Sequence, residues 1–413
     1  MTEIKNLKKA AKKIRQAIKK REKIIIFADA DLDGTTSALI LEETIQNLGG
    51  GVDLVYFPDR DTDGYGLTEK ALGNFINRAP GLLVALDCGI GSFEGIKKAS
   101  RAGFKVIVID HHEILGKLPE NALVIDPKQP KDKYPFKKLA NVSLTYKLSE
   151  IILGKEMSNI VQKSFLELSA LGAIADMMPE QDYNKKVIEE GTLCLKETFR
   201  PGFLALIDFV KKDGDTSRNI FQKIVTILNI TGLRNNLTES YLLFKEKNLS
   251  KAKEMVRNLV DESVKRQIRI QEIAEQVILS DKLDNNIVFI GNEMWEQILT
   301  GPVASRVCNK TKKPTFIFKI GKPCSESESA LLRGKEKCRG SVRMPDKRDA
   351  VMAMKSCDNF LEVYGGHPPA AGFTTSKDKV EGLKKCLKEY FLKNLDPTPL
   401  PASRGVGSGG NSL

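Results

Sequence analysis

Short apolar runs alternate with helix-spaced stretches through the first half of the chain. Runs at 24–28, 52–57 (VDLVYF), 82–87 (LLVALD), 105–110 (KVIVID) and 122–125 (ALVI) have strand length and few polar positions. Between them, 35–48, 68–78 and 92–102 read as helices. Apolar strands alternating with helices predict a mostly parallel sheet covered on both faces. Ahead of this pattern, Ile4, Leu7, Ala11, Ile14 and Ile18 recur at helical spacing, so 5–23 is expected to pack one face and leave a basic one.

The stretch 240–280 has a long, charged helical pattern and reads as a connector of one or two helices. A second α/β pattern follows, with strands near 286–290, 315–320 and 370–375 and helices near 301–310, 347–360 and 377–393. The final 395–413 is rich in Pro, Gly and Ser and is expected to be disordered. The expected division is a first domain over 1–240, a helical connector over 241–283, a smaller α/β domain over 284–394 and the tail.

Composition narrows the class. The chain has 413 residues, 41% of them hydrophobic, enough for more than one core. No apolar run reaches the roughly 18 residues of a membrane span, and the charged N-terminus lacks a signal-peptide core, so a soluble cytoplasmic protein is expected. A formal charge of +12 suits a polyanionic partner such as nucleic acid. The seven cysteines form no CxxC pair, so reduced thiols are expected rather than a disulfide framework or a zinc knuckle. Histidine occurs three times only, at 111, 112 and 367, two of them adjacent.

The strand ends carry the chemistry. The first strand delivers Asp29, Asp31 and Asp33, the run at 82–87 ends in Asp87, and the run at 105–110 ends in Asp110 followed by His111 and His112. Asp176 stands alone in the apolar stretch LSALGAIADMMPE. In parallel sheets ligands bind beyond the carboxyl ends of the strands. So many carboxylates around one point need compensating positive charge, and carboxylate with imidazole suits Mn²⁺, then Mg²⁺, better than Zn²⁺. Two divalent ions so held are a recurrent device for phosphodiester hydrolysis.

In order along the chain, ADADLDG (28–34), PDRDTDGYGL (58–67), ALDCGIGS (85–92), DHH (110–112), DPKQP (126–130), GAIADMMPE (172–180), GPVASR (301–306), GSVRMP (340–345) and YGGHPPAAGFT (364–374) resemble the motifs of the DHH phosphoesterase family, RecJ-type branch. The resemblance covers about residues 20–375. It implies a parallel-sheet DHH domain, a helical connector and a DHH-associated domain with the active site in the cleft between them. It further implies a short, archaeal-type form without the OB-fold of longer members. By the resemblance, Asp31 and Asp33 are ligands to different metals, Asp87 bridges them, and His111 and Asp176 hold the second. Asp29 is the extra acid of the RecJ branch, covering what a histidine at the position of Phe27 covers elsewhere. Asp110 orients the adjacent imidazole, His112 faces the scissile phosphate, and Gly365, Gly366 and His367 close over the substrate. Arg60, Arg306, Ser341 and Arg343 fall where the family holds the terminal phosphate. One departure is LNITGLRNN (228–236), where the branch carries Asn-Ala-Ala-Gly-Arg and Asn229 and Arg234 are the nearest equivalents.

The expected activity is therefore a Mn²⁺-dependent exonuclease on single-stranded DNA, with RNA as a further substrate, running 5′→3′ and releasing mononucleotides in DNA repair or replication. Two alternatives share the motifs: a phosphodiesterase on short oligonucleotides or small nucleotides, and a replication-complex scaffold with a helicase-associated partner. The tripled aspartate and the TDGYGL and GPVASR segments favour the exonuclease, and the full ligand set argues against a pure scaffold.

Overall fold

The computed structural model describes residues 3–60, 62–114, 116–229, 232–280, 286–321, 336–345 and 348–394. The chain forms two compact units, Met1–Ile270 and Gln271–Leu413. The tail expected over 395–413 lies outside the described residues.

The first unit opens with helix α1 (Leu7–Lys19), which buries Leu7, Ala10, Ala11, Ile14 and Ala17. Its packed stripe is centred one residue before Ile18, which is only half-buried. Strands β1 (Ile24–Ala28), β2 (Leu54–Tyr56), β3 (Gly81–Leu86), β4 (Phe104–Ile109) and β5 (Ala122–Ile125) follow. They form one sheet in the order β2-β1-β3-β4-β5, parallel throughout. Helices α2 (Leu32–Asn47), α3 (Glu69–Gly73) and α4 (Phe93–Arg101) lie between them in sequence. Both faces are covered, as the apolar runs predict. Ile24, Ile26 and Ala28 enter one core with α1 and α2, while Ile25 and Phe27 enter another with Phe75 and Ala99. The chain order reverses at β1, so a crevice opens between β1 and β3 beyond their carboxyl ends.

Five helices that the sequence pattern did not predict come next: α5 (Asn141–Leu153), α6 (Asn159–Ala175), α7 (Asp182–Cys194), α8 (Pro201–Val210) and α9 (Ser217–Leu228). The reason is burial on most sides. Residues 164–173 of α6 are all buried, so no polar stripe marks the helical period. A short ribbon, β6 (Leu233–Arg234) with β7 (Leu237–Thr238), precedes α10 (Glu239–Lys245) and the long α11 (Leu249–Ile278). The connector pattern is thus two helices, interrupted at 246–248.

The second unit carries a mixed sheet. Its elements are β8 (Val288–Asn292), α12 (Thr300–Thr311), β9 (Thr315–Ile320), β10 (Lys337–Arg343), α13 (Ala350–Lys355), β11 (Val363–His367), β12 (Ala370–Ser376) and α14 (Val380–Lys393). The sheet order is β11-β12-β10-β9-β8, antiparallel except for β8 with β9. Phe316, Phe318, Cys338, Val342 and Phe373 form its core with Met354, Leu383 and Leu387. The expectation of reduced thiols is corrected here: Cys357, after α13, is disulfide-bonded to Cys386 of α14. The partners are 29 residues apart and are brought together only by packing. Among the described residues no helix is long and apolar enough to cross a membrane.

Candidate metal centre

Every acid singled out in the first unit lies at the carboxyl rim of the parallel sheet or faces it. The turn after β1 is built around Gly34, where a Cβ would lie 2.2 Å from the Asp29 carbonyl oxygen. Only glycine lets α2 start so close to the strand it follows. Asp31 is the N-cap of α2 and accepts from Gly34 N at 3.0 Å. Asp33, in the first turn of α2, reaches a second helix start: its carboxylate accepts from Asn141 N at 2.8 Å and Val142 N at 2.7 Å, at the head of α5. Both helix N-termini favour its negative form.

His111 is the hub. Its Nε2 lies 3.1 Å from Asp87 Oδ1, 3.5 Å from Asp176 Oδ2 and 3.9 Å from Asp33 Oδ2. Asp87 takes a left-handed conformation, φ 59°, just past β3. Asp176 caps the carboxyl end of α6, where the helix dipole opposes a carboxylate. Asp33, Asp87 and His111 can share one ion, as can Asp29, Asp31 and Asp87.

Three carboxylates and an imidazole nitrogen presenting lone pairs to one another repel unless a proton or a cation lies among them. Asp87 Oδ1 and Asp176 Oδ2 are buried with no hydrogen-bond donor among the described residues. Burial, then the neighbouring acids, pushes the Asp33 pKa up to about 7 and those of Asp87 and Asp176 well above the usual carboxylate range. The donor set is oxygen-rich with one imidazole, which fits hard divalent cations.

The remaining acids have other partners. Asp29 accepts from Ala30 N at 2.9 Å and pairs with Arg60 at 2.5 Å, and the Arg60 head also lies above the Tyr65 ring. Phe27 is a core residue stacked on Tyr56. Asp110 is fully buried; its carboxylate accepts from the backbone N–H groups of Ile90, His111 and His112 and lies 2.8 Å from His112 Nδ1. Burial pulls the His112 pKa down, but the Asp110 carboxylate outweighs it and lifts the value to about 9. The Asp110 carboxylate thus favours the cationic form of His112.

Two neighbours were not singled out from sequence. Tyr65 places its hydroxyl 3.5 Å from His112 Nε2, and Lys128 Nζ donates to the His111 carbonyl at 2.6 Å. Only their place inside the TDGYGL and DPKQP segments signalled them.

The residues expected to contact substrate from the second unit fall into register with one another. Ser341, Gly372 and Gly365 form one row across β10, β12 and β11, and Arg343, Ala370 and His367 form the next but one. Ser341 Oγ lies 2.9 Å from Thr300 Oγ1 at the start of α12, and Arg343 Nε donates to Ser305 Oγ at 2.9 Å. Gly366 has φ 137°, and a Cβ there would approach the Ala370 carbonyl to 2.6 Å. Arg306 is exposed on α12, one residue after Ser305.

Residues 23–173 match the model of the DHH family, N-terminal domain. Over 392 residues the chain is 30% identical to the single-stranded-DNA-specific exonuclease RecJ of Bacillus subtilis, covering 94% of this chain. Residues 23–173 thus resemble the DHH-family N-terminal domain, and the chain as a whole is similar to RecJ-type exonucleases. It spans about half of that relative, 48% of its length. The crystal structure of RecJ from Thermus thermophilus in complex with Mn²⁺ superimposes with a TM-score of 0.79 at 23% identity, over 95% of this chain and 56% of that one. A manganese-bound exonuclease RecJ gives 0.74 at 24% identity, over 95% of each chain. The RecJ-like α/β fold therefore extends through both units.

Proposed function

We propose that this chain is a metal-dependent exonuclease that hydrolyses phosphodiester bonds of single-stranded DNA, with RNA as a further substrate. The observation that carries the reading is the convergence of Asp33, Asp87 and Asp176 on His111 Nε2 at the crevice between β1 and β3. Asp31, Asp33, Asp87, His111 and Asp176 would hold two divalent ions, Mn²⁺ before Mg²⁺, with Asp29 as a further acid at the first. When bound, such ions supply Lewis acidity and a water that is nucleophilic at neutral pH.

The chain's own residues do the rest. His112, its cationic form favoured by Asp110, stabilises a phosphoryl oxygen as negative charge grows there. Asp29 holds Arg60 at the rim, where its fork suits a phosphate. The reaction adds water to phosphorus and breaks the bond to the leaving oxygen, which takes up a proton. In the second unit, Arg306, Ser341 and Arg343 are read, with Arg60, as holding the terminal phosphate and the Gly365–His367 strand end as closing over the substrate; the 5′→3′ polarity rests on the resemblance to RecJ-type exonucleases. The names of the relatives support single-stranded DNA as the substrate. A helicase-associated protein partner rests on the resemblance to short RecJ-like proteins alone, and co-purification tests it.

Digestion of end-labelled single strands with Mn²⁺ tests the reading. Stepwise loss of mononucleotides from the 5′ end is expected. Intact oligonucleotide in the presence of bound Mn²⁺ would overturn it, and much faster cleavage of tri- and tetranucleotides than of long strands would favour a short-oligonucleotide phosphodiesterase.

A further inference from the structure

The basic face of α1 is a shaped surface. Lys8, Lys12, Arg15 and Lys19 follow one another at steps of four, three and four residues along the helix. They line an open groove of about 470 Å³ whose floor includes Ala11 of α1 and Ile151 of α5. Like charges at these spacings repel and weaken a helix. Acids answer two of them: Glu3 pairs with Lys8 at 2.9 Å and Glu156 with Arg15 at 3.6 Å. Among the described residues, Lys12 and Lys19 form no ion pair with an acid. A row of cations along a shallow groove is complementary to a chain that carries regularly spaced negative charge.

The groove is also one loop away from the acidic centre. Lys128, in the loop after β5, donates to the His111 carbonyl at 2.6 Å. Further along that loop, Asp132 accepts from Lys5 N at 2.7 Å, while Asn6 Nδ2 donates to Val124 O at 2.8 Å. The start of α1 is thereby tied to β5 and to the loop whose Lys128 reaches the His111 carbonyl, and the stripe extends for about 17 Å at the helical rise. That length accommodates several backbone phosphates.

We propose that the groove between α1 and α5 is a second binding track for single-stranded nucleic acid, taking the backbone of a strand whose end occupies the acidic centre. This rests on the nuclease reading of that centre. The apolar face of α1 is already buried in the core, which leaves its cations, not a hydrophobic surface, to make the contact.

The test is the salt dependence of binding, read by fluorescence anisotropy of a labelled single strand on the intact, metal-free chain so that no turnover intervenes. Each phosphate contact contributes about 0.7 to the slope of log affinity against log salt, so the variant Lys8→Gln/Lys12→Gln/Arg15→Gln/Lys19→Gln should lose about 3 from it. The milder Lys12→Gln/Lys19→Gln should lose about half as much. Circular dichroism checks that α1 persists, as glutamine is a good helix former. The control Lys211→Gln/Lys212→Gln/Lys247→Gln/Lys251→Gln removes the same charge from exposed positions elsewhere and should lower the slope far less. An unchanged slope in the groove variants, or equal losses in groove and control variants, overturns the proposal. So does tighter binding of poly-glutamate than of the oligonucleotide, which would mark an acidic protein partner. A wild-type chain that binds through the groove yet cleaves nothing would overturn the nuclease reading and leave the groove standing.

Discussion

Burial and neighbouring acids disfavour the charged form of Asp87, although His112 Nδ1 lies 4.0 Å from its Oδ1. Asp87 is 2% exposed, its Oδ1 has no hydrogen-bond donor among the described residues, and the nearby acids raise its pKa further. A residue so costly in the metal-free chain should be cheap to neutralise. Asp87→Asn is expected to raise the metal-free unfolding free energy by about 1–3 kcal/mol, the usual penalty of an uncompensated buried polar group. The same change should cut Mn²⁺ affinity and turnover by at least about 100-fold, since even groups that merely orient ligands are worth roughly 10–100-fold. Thermal denaturation with and without Mn²⁺ reads both effects, and a variant that keeps its Mn²⁺-induced stabilisation refutes the assignment. Asp110 acts through His112. With Asp110→Asn the imidazole loses the carboxylate that does most to lift it to about 9, leaving burial opposed only by the charges of Asp176 and Asp29. The alkaline limb of the pH–rate profile should move to lower pH than in the parent chain. An unmoved limb would remove His112 from the chemistry.

The turn between β1 and α2 is where element geometry makes the site. Gly34→Ala would drive a Cβ into the Asp29 carbonyl oxygen, displacing Asp31 and Asp33 together. A loss of at least about 1–3 kcal/mol in stability is expected, as for other overpacked positions, with Mn²⁺ binding weakened in parallel. Calorimetric Mn²⁺ titration of the folded variant separates the two. In the second unit, His367→Ala should raise KM on oligonucleotides while leaving the Mn²⁺ isotherm in place, because His367 stands in the row of Arg343 and Ala370 and its expected role is to hold substrate. Weakened Mn²⁺ binding would contradict that role. Legibility from sequence followed the same elements. Asp29, Asp31, Asp33, Asp87 and Asp110 were visible because apolar strands of fixed length put them at one edge. Helices α5 to α9 were not, because helices buried on most sides lose the stripe that marks their period. Nor were the Asp29–Arg60 pair, the capping of α5 by Asp33 and the Cys357–Cys386 bond, each made by residues distant in the chain and adjacent only after folding.

At the scale of the molecule, the acidic centre should set how stability responds to pH. Burial raises Asp33 to about 7 and raises Asp87 and Asp176 well above the carboxylate range. A carboxyl whose pKa is higher in the folded than in the unfolded chain binds a proton more tightly when folded, so its contribution is complete below about pH 4 and is lost as pH rises through the folded value. His112 acts in the same sense: raised to about 9, it stabilises fully below about 6.5, and that stabilisation fades as pH passes 9. Asp110, held below the usual range by His112 and three backbone N–H groups despite its burial, contributes the opposite slope, but only under strongly acidic conditions. The metal-free chain should therefore melt at lower temperature near pH 9 than near pH 6, by several degrees. Divalent ions compete with those protons and bind the folded state, each adding about 2.7 kcal/mol at a hundredfold excess over its dissociation constant. Their stabilisation should grow as pH rises, so excess Mn²⁺ should flatten or invert the pH dependence seen in chelator. Melting curves across this range, with chelator and with Mn²⁺, decide the matter. Parallel curves offset by a constant would mean that the ions bind somewhere other than among Asp33, Asp87, His111 and Asp176.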